Sequence, residues 1–509
     1  MNSHLRNVFI SVVAALLALK VGIDVAQEDY LLAAATAGFA ILVIVTWFSE
    51  AVFDTWVLAF LVFGYTIGNR GFAQITPAGG LPLFFGEIGL GATLTLVVIR
   101  LSFARQLPIQ RNPLNVFLAA WIALGTCRIG FDVFRHGFVA LRDFATVYYA
   151  LFFFVAQAVS SQPASRRMLH LAILATFAVL PVTAAISDAF PEAMMALTFR
   201  NIPIILYKDD LVGTFLFAGF LLLIPPTGET GRLTKLRWGL AIFSLGVGLI
   251  QLSRAGMMGL AVGALWQGLA GRWRPARTIA ATMFAGALGL AVLGQFKDSD
   301  VSQTKAFGVY EQVISIFDVS GTGSYRHSET ADSGDNNRFR IVWWQTIAAD
   351  TMREGPLFGL GFGHDLARNF LQVYNPLEED FTARSPHSIL FTTLGRMGLI
   401  GLLVLMAVYF LVAVETRKVV RWVRRGDAPA SLLTLLSACW VILVSSCFGV
   451  VLEGPMGAIP LWIMLGLACY QARALNADAT TPAEASDAPR DFAQRTRELT
   501  AASTPPGGR

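Results

Sequence analysis

Apolar runs of roughly 20 residues recur along this chain from Val8 to Cys469, and they decide what it can fold into. Lipid offers no partner to a backbone N–H or C=O group, so a run of this length crosses a bilayer as a helix that satisfies its own polar groups. About 14 segments are long enough to span or nearly span, from Val8–Val25 and Leu31–Phe48 through Leu141–Val159 to Ile389–Val414, Leu432–Val450 and Ala458–Cys469. With 55% hydrophobic and 14% charged residues and a mean hydropathy of +0.59, a soluble fold is excluded. The expectation is an all-α polytopic membrane protein of about 12–14 transmembrane helices with one large, partly helical loop between spans. The first span follows a short Met1–Asn7 leader without a small-residue cleavage site and reads as retained.

Orientation follows from the basic residues. With the N-terminus inside, the inner loops hold Arg105 and Arg111, then Arg166 and Arg167, then Arg232, Lys235 and Arg237, then Arg272, Arg274 and Arg277, and finally Arg417 to Arg425. The net charge of +5 therefore belongs to loops at the membrane and does not point to nucleic acid. The chain divides into an N-terminal helix bundle (1–295, about 11 spans), an outer loop (296–387), C-terminal helices (388–473, about 3 spans) and a tail (474–509) too polar to fold. Cys127, Cys439, Cys447 and Cys469 lie in or beside apolar segments without metal-like spacing and read as small core residues.

The outer loop is far longer than an ordinary connection, so a functional element is expected there. Asn337 to Glu354 has helical periodicity, with Ile341, Trp344, Ile347, Ala348 and Thr351 on one stripe and Pro356 as the stop. The arginines of Asn337-Arg338-Phe339-Arg340 offer planar forks for phosphate oxygens, and Trp343 and Trp344 offer a headgroup-level face or a platform for a sugar ring. Pro356 to Gly363 (PLFGLGFG) reads as a structural turn. Arg384-Ser385-Pro386-His387-Ser388 opens the next span, whose Gly395, Gly398 and Gly401 share roughly one face and would admit another helix closely. A histidine at that mouth is a candidate general base, with His327 and His364 as competitors.

Ser253-Arg254-Ala255-Gly256 sets an arginine in a tight break between two apolar segments, where it needs a partner or a wet cavity. Arg128, Arg135, His136 and Arg142 border another outer turn, and Arg142 is a candidate to face the same cavity. Asp298-Ser299-Asp300 and Glu378-Glu379-Asp380 read as solvated charge.

The order of these motifs, from the SRAG turn through the arginine–tryptophan helix and PLFGLGFG to PHS and GRMGLIG, resembles the O-antigen ligase and O-antigen polymerase superfamily. The resemblance implies a glycosyltransferase of the bacterial inner membrane, with both termini cytoplasmic and the active-site loop periplasmic. The donor it implies is an undecaprenyl-diphosphate-linked glycan, the acceptor lipid A-core or a growing glycan, with no metal or other cofactor. It also implies His387 as catalytic base and Arg254 with Arg340 or Arg338 as diphosphate ligands. Arg142 joins these as a further diphosphate ligand, and Trp343, Trp344, Ser388 and Glu453 are substrate-binding candidates. Ser388 stands where asparagine is common. Ligase and polymerase share these motifs, and a transporter or flippase of lipid-linked glycan is the rival from another class.

Overall fold

The computed structural model describes residues 18–23, 25–26, 52–76, 84–104, 109, 112–226, 230–251, 253–294, 328–374 and 384–480. The expected spans Val8–Val25 and Leu31–Phe48 lie largely outside these, as do His327, the Asp298-Ser299-Asp300 stretch and the Glu378-Glu379-Asp380 cluster. From Phe53 on the described chain is helical: α1 (Phe53–Phe63), a π turn (Gly64–Gly68), α2 (Asn69–Gln74), α3 (Phe85–Ala104), α4 (Pro113–His136), α5 (Phe138–Tyr148), α6 (Leu151–Ser160), α7 (Pro163–Ala189) and α8 (Pro191–Ala196). A two-residue hairpin, β1 (Thr198–Phe199) with β2 (Ile202–Pro203), precedes α9 (Asp209–Leu223), α10 (Arg232–Ile250), α11 (Arg254–Leu269) and α12 (Arg274–Gly294). Then come α13 (Ser328–Glu354), α14 (Arg368–Tyr374), α15 (Ile389–Arg425), α16 (Ala430–Ser446) and α17 (Pro455–Thr480).

Among the described residues five helices are long and apolar enough to cross a membrane: α4, α7, α10, α15 and Pro455–Leu475 within α17. A sixth is the pair α5 and α6, bent by 41° where the sequence predicts one straight span, Leu141–Val159. The protein is thus an all-α polytopic membrane protein. α17 continues as helix to Thr480, past Arg473 where the polar tail was expected to begin.

Three helices form the pillar that carries the site. α9, α11 and α16 pack on one another, and glycines let them close: a methyl on Gly259 would meet the Val441 carbonyl oxygen at 2.3 Å, and one on Gly263 the Ser437 oxygen at 2.8 Å. Hydroxyls and amides then pair inside the contact, Thr214 with Ser445 at 3.1 Å and Gln267 with Ser437 at 3.0 Å. α9 and α11 start at the end of the pillar where α16 finishes. The helix ends, with their unsatisfied N–H groups and side-chain caps, are therefore gathered at two opposite mouths.

α13 forms as the periodicity predicts, with its start earlier, at Ser328. Its buried face differs from the predicted stripe. Trp343, Ile347 and Thr351 are fully buried and Phe339 packs with them, because Leu366, Ala367 and Phe370 of the segment after it fold back onto that side. Tryptophan 343, stacked on Phe370 at 5.2 Å, displaces Trp344 as the centre of the seam.

Candidate functional site

Gly395 admits Ile347 of α13 closely, as a seam between helices would, but Gly398 serves another use. Gly398 has φ +65°, breaking α15, and a methyl there would meet the backbone C and O of Leu357 at 2.4 Å. The partner at the break is the PLFG loop itself. Leu360 N–H donates to the Gly395 carbonyl at 2.7 Å, and Leu399 N–H donates to Pro356 at 2.9 Å. Loop backbone thus supplies hydrogen bonds that the interrupted helix lacks.

The rest of that turn is held by buried charge. Asp132 accepts from Phe362 N–H at 2.7 Å and Asp143 from Gly363 N–H at 3.0 Å. Arg396, 3% exposed, reaches Asp143 at 2.7 Å and donates to the carbonyls of Gly361 and His364. Arg384 donates to the Gly363 carbonyl at 3.0 Å and lies 3.5 Å from Asp143. Gly359, Gly361 and Gly363 all adopt positive φ, which only glycine takes without strain. PLFGLGFG is therefore a clamped structural turn, and its clamp orients Arg384 and the segment that leads into His387. In this clamp Asp143, and not its neighbour Arg142, faces inward. Arg142 is exposed on α5 and joins none of these contacts.

His387 sits between Pro386 and Ser388, the N-cap of α15, and has φ +57°. A left-handed φ at a non-glycine residue is kept only where the surroundings enforce it. Here Trp344 Nε1–H donates to the Pro386 carbonyl at 2.7 Å while its ring stacks on Phe391 with centroids 5.0 Å apart. Trp343 closes the other side, 6.2 Å from the imidazole, with its own N–H spent on the Leu366 carbonyl at 2.8 Å. Trp343, fully buried, backs the histidine and presents no open face, while Trp344 is half-buried. Glu453 ties down the same turn by accepting from the Ser388 N–H and from Thr392 Oγ1. Ser388 itself is buried. The imidazole Nδ1 is buried without a hydrogen-bond partner among the described residues.

Around this imidazole stands a set of charges from four other elements. Arg340 of α13 donates through Nη1 to the Phe448 carbonyl at 2.8 Å and approaches Asp210 at 3.6 Å. Arg338, two residues earlier, is exposed. Ser253, 1% exposed, donates from Oγ to the Asp210 carbonyl at 2.8 Å and caps α11 by accepting Gly256 N–H at 3.2 Å. That cap pins Arg254 at the first position of α11, one residue from a group bonded to Asp210. Asp210 is thus the common neighbour of the Arg254 turn and Arg340. Lys208 completes the set, its N–H held by Asn69 Oδ1 at 3.2 Å, with its charge felt by Glu453, Asp210, Arg70 and Arg340.

These neighbours set the protonation states. Burial first, then the positive charges of Arg340 and Lys208, push the His387 imidazole down to about 4, against a smaller pull upward from Asp210. Burial pushes Glu453 up to about 7, against the hydrogen bond from Thr392 and the charge of Lys208. Lys208 is lowered by burial, and Arg340 likewise. His364, also lowered by burial, spends its carbonyl on Arg396 in the clamp and lies outside the His387 set. At neutral pH the site presents an uncharged imidazole beside guanidinium and ammonium groups, a combination fitted to accept a proton near an anion.

Residues 239–406 match the family model described as O-Antigen ligase. About a third of the chain is therefore similar to the O-antigen ligase family. No curated protein matches the chain. The O-antigen ligase match takes in Arg254, Arg340, His387 and the Arg396 clamp, while Lys208, Asp210 and Glu453 lie on either side of it. Lys208 and Asp210 escaped the motif reading. Their signal was a lysine and two carboxylates set directly against the apolar segment that begins at Leu211.

Proposed function

We propose that this chain is an inner-membrane glycosyltransferase that moves a glycan from an undecaprenyl-diphosphate carrier to a hydroxyl of lipid A-core on the periplasmic face, with inversion and without a metal. The observation that carries the reading is the meeting of His387, Arg340, Lys208 and the Arg254 turn around Asp210. The similarity of residues 239–406 to the O-antigen ligase family supports a ligase or polymerase activity in general. The arginine-rich loops support placing the opposite end of the bundle in the cytoplasm.

In this mechanism Arg254, Arg340 and Lys208 hold the diphosphate through charge-assisted hydrogen bonds. His387 takes the proton of the acceptor hydroxyl. The freed oxygen forms a bond to the anomeric carbon from the face opposite the diphosphate. The carbon–oxygen bond to the carrier breaks, and its electron pair leaves on the diphosphate oxygen, where the cations stabilise it. A histidine near 4 is a weak base in the free protein. Anionic donor neutralises the field of Arg340 and Lys208, raises the imidazole, and so couples base strength to donor binding. Glu453 positions the PHS turn, and Trp344 fixes its carbonyl.

The test is transfer by the purified full chain in lipid nanodiscs, with undecaprenyl-diphosphate-linked glycan as donor and lipid A-core as acceptor. His387→Ala is expected to remove transfer while leaving the protein folded. Near-normal transfer by that variant would overturn the mechanism. Transfer to a donor-linked glycan in place of lipid A-core would make the protein a polymerase. Movement of donor across vesicles with no transfer would make it a transporter.

A further inference from the structure

The opposite mouth of the pillar holds a cavity of about 210 Å³. α11 ends at Leu269, and Gly271, with φ +80°, reverses the chain through a Gly271 N–H to Gly268 carbonyl bond of 2.8 Å. The turn brings Arg272, Trp273, Arg274, Pro275 and Arg277 round the cavity, and Pro225, just beyond α9, closes the remaining wall. This is the end away from His387, since α9 and α11 start there and finish here.

Three features single this cavity out. First, three of its lining residues are arginines and none is acidic. Secondly, Arg274 and Arg277 occupy the first turn of α12, where the helix dipole is already positive and added cations are unfavourable unless an anion offsets them. Thirdly, Arg272 is half-buried and fixed, its Nη1 donating to Gln267 Oε1 at 2.9 Å and to the Ala430 carbonyl at 3.2 Å. A locked guanidinium, two exposed ones and a half-exposed indole make a fork for phosphate oxygens with an amphipathic flank. The volume suits a headgroup and not acyl chains, which would run down the outer surface of the bundle.

We propose that this cavity binds a phosphate group, supplied by the phosphodiester of an anionic phospholipid in the leaflet facing the arginine-rich loops. Arg272, Arg274 and Arg277 hold the phosphate, and Trp273 lies beside the glycerol. The site stands apart from the proposed transfer chemistry and does not depend on it.

The test uses the purified full chain in detergent, titrated with phosphatidylglycerol or phosphatidylcholine and followed by native mass spectrometry. Phosphatidylglycerol is expected to be retained at least about tenfold better than phosphatidylcholine, and the preference to fall about tenfold in Arg274→Gln/Arg277→Gln. Both side chains are exposed, so this variant keeps the fold and leaves the anchored Arg272 in place. Equal retention of the two lipids, or an unchanged preference in the variant, would overturn the proposal. Displacement of phosphatidylglycerol by millimolar inorganic phosphate would assign the cavity to free phosphate and overturn the lipid as its occupant.

Discussion

His387 has an ordinary value of 6.5 and is held near 4, so its environment disfavours the imidazolium by roughly 3 kcal/mol at 1.36 kcal/mol per pH unit. Burial is the largest cause and the charge of Arg340 the next. Arg340→Gln removes that charge and keeps the burial. A unit charge at about 10 Å in an effective dielectric of about 20 is worth on the order of 1.5 kcal/mol, so the variant's imidazole should rise by about one pH unit and stay below the ordinary value. Asp210→Asn should move it the other way, because Asp210 is the group that pulls it up. Diethyl pyrocarbonate attacks only neutral imidazole, so its rate at His387, read by peptide mapping between pH 4.5 and 8, reports these shifts without assuming any activity. The wild type should react at a constant rate above about pH 5.5, and Arg340→Gln should show a midpoint inside the range. Undecaprenyl diphosphate should raise the wild-type midpoint. A wild-type midpoint at the ordinary histidine value would refute both the burial and the charge argument. The sign also fixes stability. The folded value lies below the unfolded one, so the contribution of His387 is fully present above about pH 6.5 and is lost as pH falls toward about 4.

Four further outcomes follow from the same contacts. In a transfer assay Arg340→Ala should lower kcat/KM by about 30-fold to 150-fold, the loss of about 2–3 kcal/mol of charge-assisted binding, whereas Arg142→Ala should stay within about threefold. Asp143→Asn leaves Arg396 buried opposite a neutral partner and should cost about 3–5 kcal/mol, read as a lowered midpoint of thermal unfolding in detergent. Gly398→Ala must hold φ +65° against the Leu357 backbone, so it should cost more than the roughly 1–2 kcal/mol of left-handed strain alone and expose the PLFG loop to protease. Glu453 is raised by folding, so its contribution is present at low pH and lost as pH rises through about 7. Glu453→Gln should flatten the stability profile between pH 5 and 8 in a denaturation series.

Much of the candidate site was legible because its groups are chemically conspicuous in a chain of this kind. A histidine at the mouth of a span, and arginines beside apolar helices, are costly unless used, so His387, Arg254 and Arg340 stand out in the bare sequence. The helix carrying Arg340 was equally legible, from its period and its proline stop. What the period left open was which stripe would be buried, because Trp343 and Trp344 both fit an amphipathic helix. The choice fell to Phe370 and Leu366, which return from the following segment. Gly398 shows the same limit. Three glycines spaced along a helix read as a seam, yet positive φ at one of them turns the helix open to a loop.

The sequence by itself determined the all-α membrane class and the residues that carry charge at its surfaces. Lipid tests each segment for hydrophobicity locally, so no tertiary information is needed for that. Only the tertiary structure decided that Arg340 and not Arg338 meets Asp210, that Asp143 and not Arg142 turns inward, and that Lys208 and Asp210 share the field of a histidine more than a hundred residues from either. Pairings of this kind depend on which helix ends meet. Glycine contacts deep in the pillar hold together the helix ends that carry Asp210 and Arg254, far along the chain from Arg340 and His387.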